Sequence, residues 1–470
     1  MRILLPTGAA TAEMVRRAAV GFDADVVVTG KIASFLTPRA LRDLIVKGAC
    51  DAVVVSGMCT VSFGQVERET GVPVYRGPRH AADLAGILPL VGKVPLSRTV
   101  PAEDFLAAGK AKDAMERVAA AENDAGPEFV IRGVKIGGNS RMKVLAEIMD
   151  AHREEDIAGR VEHYFSCGAD IVDLGFGFDA TPADVKRVFV DLEEIEGPLA
   201  ADTQDPDLIR AALFRADLIL SLQETNIPKV GKDVAKAGAA AVVVPGGSTL
   251  AKNIARARRA GISCIIADPL LQPVGSGLVA SLVQFRNYGC PLFFGAGNVV
   301  ELLDADSVGA NALLAGMAQE VGASLIFSSE HSDKTRGSIR EMRKATEMMA
   351  LARDRPYPKD LGIDLLVLKE KRRRREPPLE YETATVAKPM PGEITYDPKG
   401  NFRIGIEGNQ IVAVINGKAV KGIRWQDVLH TLLSEGHVSL LDHAGYLGRE
   451  LYKAELAIRY GRSFEQDGEF

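Results

Sequence analysis

The chain has 470 residues, too many for one ordinary hydrophobic core, so two or three domains are expected. Its 47% hydrophobic and 25% charged residues fit a globular protein, and a formal net charge of -5 argues against a general nucleic-acid binder. No run of about 18 apolar residues occurs, the N-terminus lacks a signal-peptide core, and the five cysteines form no CxxC or Cys/His cluster; isolated thiols in a cytoplasmic protein are expected.

Up to about residue 125, apolar runs alternate with helix-like stretches: Arg2-Ile-Leu-Leu, Ala24-Asp-Val-Val-Val, Asp51-Ala-Val-Val-Val and Pro73-Val-Tyr. Continuous Val/Ile/Leu runs of this kind predict a small, buried parallel sheet. Thr7-Gly8, Thr29-Gly30-Lys31 and Ser56-Gly57 end these runs, as anion-binding amides or as plain tight turns. No complete GxGxxG or GxxxxGK[ST] follows the first run, so a dinucleotide reading fails. A polar stretch, residues 111–126, links this segment to the next.

Eight short apolar runs then follow, each succeeded by a helix-like stretch. They begin at Phe129, Ala169, Pro198, Ala216, Ala239, Ser263, Pro291 and Ala323. Starts lie about 20 to 40 residues apart, the length of one βα unit. Eight units close a (β/α)8 TIM barrel, in which chemistry sits at the C-terminal ends of the strands. Asp173, Asp202, Ser221, Asp268, Asn298 and His331 fall at or just after those ends. The barrel's last helix is predicted from about Asp333 to Arg353. Gly246-Gly-Ser-Thr249, after the fifth run, reads either as an anion nest or as a plain turn.

A charged, proline-containing linker follows, with the basic run Lys369–Arg375, which reads as a solvated connector. In the last segment, Asn401-Phe-Arg-Ile-Gly-Ile and Gln410–Ile415 flank turn signals including Asn416-Gly417, predicting a β-meander. A helix around Asp442–Glu455 packs Leu447, Leu451, Ala454 and Ile458; its other stripe, His443, Tyr446, Glu450 and Lys453, is a solvated face or a binding surface. The expected fold is α/β: an N-terminal small parallel α/β domain (1–125), a central barrel (126–353), a linker (354–392) and a C-terminal α+β domain (393–470).

Within the barrel region, Gly168-Ala-Asp-Ile-Val-Asp-Leu-Gly175 is followed in order by Ala200-Ala-Asp-Thr203, Ile265-Ile-Ala-Asp-Pro269, Gly295-Ala-Gly-Asn298 and Ser329-Glu-His-Ser-Asp333. This order resembles the dihydropteroate synthases and related pterin-binding methyltransferase domains, over about residues 130 to 350. The resemblance implies that Asp202 and Asp268 grip the 2-amino-4-oxo edge of a dihydropterin. It makes Asp173 a support within the site. It also implies that Asn139, in Ile136-Gly-Gly-Asn-Ser-Arg, holds a diphosphate leaving group or its Mg2+, and that His331 contacts the diphosphate. Ser221 and Asn298 are further substrate-binding candidates, and Lys135, Arg141 and Lys334 are cations for a substrate phosphate. Several family features differ here. The long first-strand loop is replaced by Gly-Gly-Asn-Ser-Arg, the sixth-strand loop becomes Asp268-Pro-Leu-Leu-Gln-Pro-Val-Gly-Ser-Gly277, and Gly297-Asn298 stands where a Ser-Arg-Lys is usual.

The three-part layout, with His443-Ala-Gly-Tyr-Leu-Gly-Arg-Glu-Leu-Tyr-Lys-Ala-Glu455 near the end, is similar to the dihydropteroate synthase-like proteins of methanogens and methylotrophs, whose one-carbon carrier is tetrahydromethanopterin. The implied activity joins 6-hydroxymethyl-dihydropterin diphosphate to an arylamine, 4-(β-D-ribofuranosyl)aminobenzene 5'-phosphate, releasing diphosphate with Mg2+ assistance, in a homo-oligomer, a dimer. The alternatives are a pterin-dependent methyltransferase domain and a non-catalytic pterin-binding or assembly protein.

Overall fold

A computed structural model describes residues 1–47, 50–355, 357–371, 381–389 and 395–469. The chain divides into two compact units, Met1–Pro377 and Pro378–Phe470. Among the described residues no helix is long and apolar enough to cross a membrane.

The first unit opens with β1 (Ile3–Gly8), β2 (Ala24–Gly30), β3 (Ala52–Val55) and β4 (Val74–Arg76), all parallel in the order β2-β1-β3-β4. Alternation along the strands sends Ile3, Leu5, Ala52 and Val54 to one face and Leu4, Val53 and Val55 to the other, where each set packs on helices. Both faces are covered, which explains the unbroken apolar runs in the sequence. The loops at the strand ends approach closely: a Cβ on Gly57 would lie 2.6 Å from the Gly77 carbonyl oxygen, and one on Gly8 2.6 Å from that of Lys31. Gly8 and Gly57 therefore serve backbone packing, whereas a Cβ on Gly30 would meet nothing within 4 Å.

After the helix Ala102–Asp124 comes an antiparallel hairpin, β5 (Phe129–Ile131) and β6 (Val134–Ile136), turned by Arg132 and Gly133, both at positive φ. Phe129-Val-Ile was expected to open the barrel. The first barrel strand is instead β7 (Lys143–Ile148), and the hairpin closes the barrel's floor. Its Ile131 and Ile136 pack among Leu145, Ile171, Ala200, Leu218, Ile266 and Leu325 inside the cylinder. The physical reason is the turn: a two-residue Arg-Gly reversal right after Ile131 forces an antiparallel partner and leaves no room for a crossover helix.

The barrel itself is closed and wholly parallel. Its other strands are β8 (Ile171–Gly175), β9 (Leu199–Asp202), β10 (Leu218–Leu222), β11 (Ala240–Val243), β12 (Ile265–Ala267), β13 (Leu292–Phe294) and β14 (Ala323–Ser329), with β14 pairing β7 to complete the ring. Outward residues such as Val144, Val172, Ile219, Ala241 and Ile326 pack against the helical shell. The last helix, Ser338–Ala352, begins after Gly337 (φ 95) and a short 3-10 turn at Asp333–Thr335, five residues later than the sequence suggests.

Of the expected linker, residues 356, 372–380 and 390–392 lie outside the described residues, including most of the Lys369–Arg375 run; the remaining described stretches, 357–371 and 381–389, contain no helix or strand.

The second unit is a three-stranded meander, β15 (Arg403–Glu407), β16 (Gln410–Ile415) and β17 (Lys418–Gly422), followed by the helices Trp425–Ser434 and Leu441–Tyr460. Asn416 (φ 48) and Gly417 (φ 76) make the predicted two-residue hairpin turn. The stripe of His443, Tyr446, Glu450 and Lys453 is neither solvated face nor pocket. His443 Nδ1 lies 3.1 Å from buried Asp397, Gln466 Nε2 donates to the Tyr446 hydroxyl at 2.8 Å, and Lys453 Nζ bonds Glu450 and the Gly468 carbonyl. The stripe fastens the chain's last residues onto the helix.

Candidate active site

Barrel parity builds the site. On each strand the residue two positions beyond an interior apolar side chain points inward again, one layer nearer the C-terminal mouth. Leu145 is thus followed by Glu147, Ile171 by Asp173, Ala200 by Asp202 and Ile266 by Asp268. Register puts Glu147, Asp173 and Ser329 side by side, while Asp202 pairs with Gly175 and Leu220, two residues further along β8 than Asp173, and inward-pointing parity brings its carboxylate to the same group. An apolar interior is capped by a layer of four acids.

Glu147, Asp173 and Asp202 each place a carboxylate oxygen within 4.8 Å of the other two. Asp173 is fully buried, and neither of its oxygens has a hydrogen-bond partner of normal geometry. Burial drives its pKa well above the ordinary value, reinforced by Asp202 and Glu147. Burial likewise raises Glu147 to about 7, with Asp202, Glu301 and Asp150 adding repulsion. It raises Asp202 to about 6. Asp268 is raised to about 7, chiefly by burial and slightly by Asp202, against the Leu270 N–H that its Oδ1 accepts at 2.8 Å. Near neutrality such a layer holds some of its protons, so it can both donate and accept hydrogen bonds. It suits a flat, uncharged heterocycle whose edge alternates donors and acceptors.

At the rim, Glu301 organises the segment after β14. Its carboxylate accepts from Ser332 Oγ (2.6 Å), Thr335 Oγ1 (2.7 Å) and the His331 N–H (2.9 Å). Burial pushes Glu301 up, but these bonds outweigh it and hold the acid below its ordinary value. The His331 ring is left exposed beside this network, and Lys334 Nζ reaches Asp304 at 2.8 Å. Asn298 is exposed at the start of the helix Ala296–Glu301 that follows β13. The Ser221 carbonyl accepts from Asn226 Nδ2 at 3.1 Å. The Gly246-Gly-Ser-Thr249 turn is filled by the chain's own anion, because Glu224 accepts the Gly247 N–H at 2.5 Å.

Three expected site residues lie elsewhere. Lys135, Asn139 and Arg141 precede β7 and sit on the barrel's floor, at the opposite end from Asp202 and Asp268. Lys135 Nζ binds the carbonyls of Glu122, Asn123 and Ala125, and Asn139 Oδ1 accepts the Gly126 N–H at 2.7 Å. Arg141 Nη2 pairs with Asp170 at 2.5 Å in a buried contact. All three close the floor; none can reach a ligand at the mouth. In particular, Asn139 does not fit an ion accompanying a diphosphate there. Lys135 lies within the floor hairpin of Phe129–Ile131 and Val134–Ile136, and Asn139 and Arg141 follow that hairpin, not a barrel strand, so all three lie at its end of the cylinder. Glu147, the residue missed, occupies the position that Asn139 was assigned, and its signal was the same apolar-x-acid spacing as at Asp173, Asp202 and Asp268.

Comparison with known proteins gives a relative along nearly the whole chain. Uncharacterized protein MJ0107 of Methanocaldococcus jannaschii is 32% identical over 99% of this chain and 98% of its own length. The chain belongs to the family of this archaeal protein. Within the second unit, residues 396–467 match the family model PterinBD-DUF4346. Among solved structures, dihydropteroate synthase of Yersinia pestis is similar to 48% of this chain, over 98% of its own, at 21% identity and a TM-score of 0.37. Xanthomonas albilineans dihydropteroate synthase with 4-aminobenzoic acid is similar to 49% of this chain, over all of its own, at 19% identity and a TM-score of 0.40.

Proposed function

We propose that the barrel binds a reduced pterin at its acid layer and transfers the pterin's exocyclic methylene to an arylamine. In this reading the substrate is 6-hydroxymethyl-dihydropterin diphosphate. The aniline nitrogen attacks the methylene carbon, the carbon–oxygen bond to diphosphate breaks with its electrons leaving on the diphosphate, and the nitrogen loses a proton. An aniline is a weak base that attacks without prior deprotonation, so the chemistry needs positioning and charge stabilisation more than a strong general base.

Asp202 and Asp268 hold the 2-amino-4-oxo edge, and Asp173 and Glu147 complete the polar end of the slot. Donors on the heterocycle satisfy acceptors that otherwise stay unpaired, which favours the bound state. His331 and Lys334, on the loop fixed by Glu301, face the departing diphosphate. The observation that carries the reading is Asp173, fully buried with two unpartnered oxygens amid two further acids. The family model matched at residues 396–467, named for pterin binding, supports the same ligand class. For the acceptor we infer 4-(β-D-ribofuranosyl)aminobenzene 5'-phosphate, which places the protein in tetrahydromethanopterin biosynthesis, as a cytoplasmic dimer. Mixing the protein with the dihydropterin diphosphate and this arylamine should release diphosphate and form a pterin–arylamine adduct. Tight pterin binding without release under any arylamine would remove the transferase reading.

A second reading, transfer of a methyl group to or from a bound pterin, is favoured by Asn298, which presents an amide at the mouth after β13. Methyl-dependent turnover with a corrinoid partner would support it.

A further inference from the structure

Beside the acid layer, the loops after β7 and β8 bring together three side chains that the pterin reading leaves unused. Asp150, His152 and Asp179 each offer a ligand atom within 4.8 Å of the other two. The His152 side chain is only 7% exposed, and neither ring nitrogen makes a hydrogen bond. Its Nε2 stands 3.5 Å from Asp179 Oδ2, beyond a strong contact. A buried imidazole with both nitrogens unsatisfied costs free energy unless a further partner arrives.

The surroundings make room for that partner. Asp150 sits in the left-handed region (φ 49), and Gly177 faces it: a Cβ there would lie 2.6 Å from Asp150 Oδ1. Asp179 belongs to a turn rather than a strand, and it also receives the Arg153 guanidinium. That contact engages Oδ2 of Asp179 and leaves its Oδ1 to serve as a ligand atom beside Asp150 and the imidazole. Ligands on one ion, each at about 2.0 to 2.2 Å, lie roughly 3 to 4 Å apart. Closing the triad thus requires only a small movement of the Asp179 turn.

We propose that Asp150, His152 and Asp179 form a divalent-cation site at the lip of the barrel. One imidazole with two carboxylates selects Zn2+, Mn2+, Fe2+ or Co2+ over Mg2+, which prefers an all-oxygen set. Three protein ligands leave coordination positions open towards solvent, where a phosphate oxygen of a substrate can bind. That second role rests on the transferase reading; the cation site does not.

The test uses the full-length protein without pterin. Titration with Mn2+ should give one tightly bound equivalent, and pulsed EPR of that complex should display 14N coupling from a single imidazole. His152→Ala should weaken Mn2+ binding at least tenfold, while Asp173→Asn in the acid layer should leave it unchanged. Absence of 14N coupling in the wild-type complex would overturn the proposal without recourse to any variant. Failure to bind Mn2+, Zn2+ and Co2+ at millimolar concentration would overturn it too, as would loss of binding in Asp173→Asn with retention in His152→Ala, which would move the ion to the acid layer.

Discussion

Replacing Glu147 by Gln should stabilise the barrel in alkaline solution and leave it unchanged in acid. In the folded chain Glu147 titrates near 7 instead of at its ordinary 4.5, because burial and the neighbouring Asp202, Glu301 and Asp150 disfavour its charge. An acid whose folded pKa is raised binds its proton more tightly in the native state, so it opposes folding as pH rises through the window from about 4.5 to 7. Above that window the penalty is complete. A displacement of this size corresponds to about 3 kcal/mol, an upper limit because the repulsion is shared with Asp202. Glutamine keeps the shape and removes the charge, so Glu147→Gln should gain about 1–3 kcal/mol at pH 8.5 and nothing at pH 4.5. Urea denaturation followed by tryptophan-independent circular dichroism, at both pH values, measures this directly. An equal loss of stability at both pH values would mean that Glu147 is a satisfied, charge-compensated carboxylate, and the account of the acid layer would be wrong.

Further outcomes follow from the same geometry. Arg141→Ala should cost about 2–4 kcal/mol in denaturant unfolding, since it strips a buried partner from Asp170 while Arg343 remains 3.1 Å away; pterin affinity should not change, and a selective loss of affinity would return Arg141 to the binding site. Gly57→Ala should destabilise the N-terminal sheet by about 1–3 kcal/mol, because the new Cβ meets backbone of the Gly77–Arg79 loop at 2.6 and 2.7 Å; wild-type thermal unfolding would refute that packing. Glu301→Ala should free the Ser329–Thr335 segment, raising its amide hydrogen-exchange rates at least tenfold; unchanged protection at His331 and Ser332 would refute its organising role.

Much of this architecture was legible because the signals were local. Seven of the eight barrel strands fall on predominantly apolar runs, broken by Asp173 in β8 and Ser221 in β10 before the strand ends, and parallel strands covered on both faces read that way. Asp202 and Asp268 announced themselves as acids directly after such runs. Asn416-Gly417 specified its own hairpin. The first barrel strand was obscured by composition: Lys143 and Glu147 interrupt Met142–Ile148, whereas the floor hairpin Phe129–Ile131 is uniformly apolar. Lys143 is tolerated at the strand's start because Glu122 pairs with it at 3.0 Å, a contact 21 residues away that no local pattern predicts. One misplaced strand carried Lys135, Asn139 and Arg141 to the wrong end of the barrel and hid Glu147. The Asp150, His152 and Asp179 triad joins two loops separated by a helix, so only the closed ring could reveal it. The stripe on Leu441–Tyr460 was visible as a pattern, but its partners, Asp397 and the terminal residues 464–468, became known only from the fold.

The pairing of Asp202 and Asp268 around one heterocycle is tested most directly by calorimetric titration of 6-hydroxymethyl-7,8-dihydropterin into wild type, Asp202→Asn and Asp268→Asn. Each substitution should weaken binding by at least about tenfold, the loss of one hydrogen bond to a charged group, with native circular dichroism retained. Wild-type affinity in both folded variants would contradict a pterin held at the mouth of this barrel.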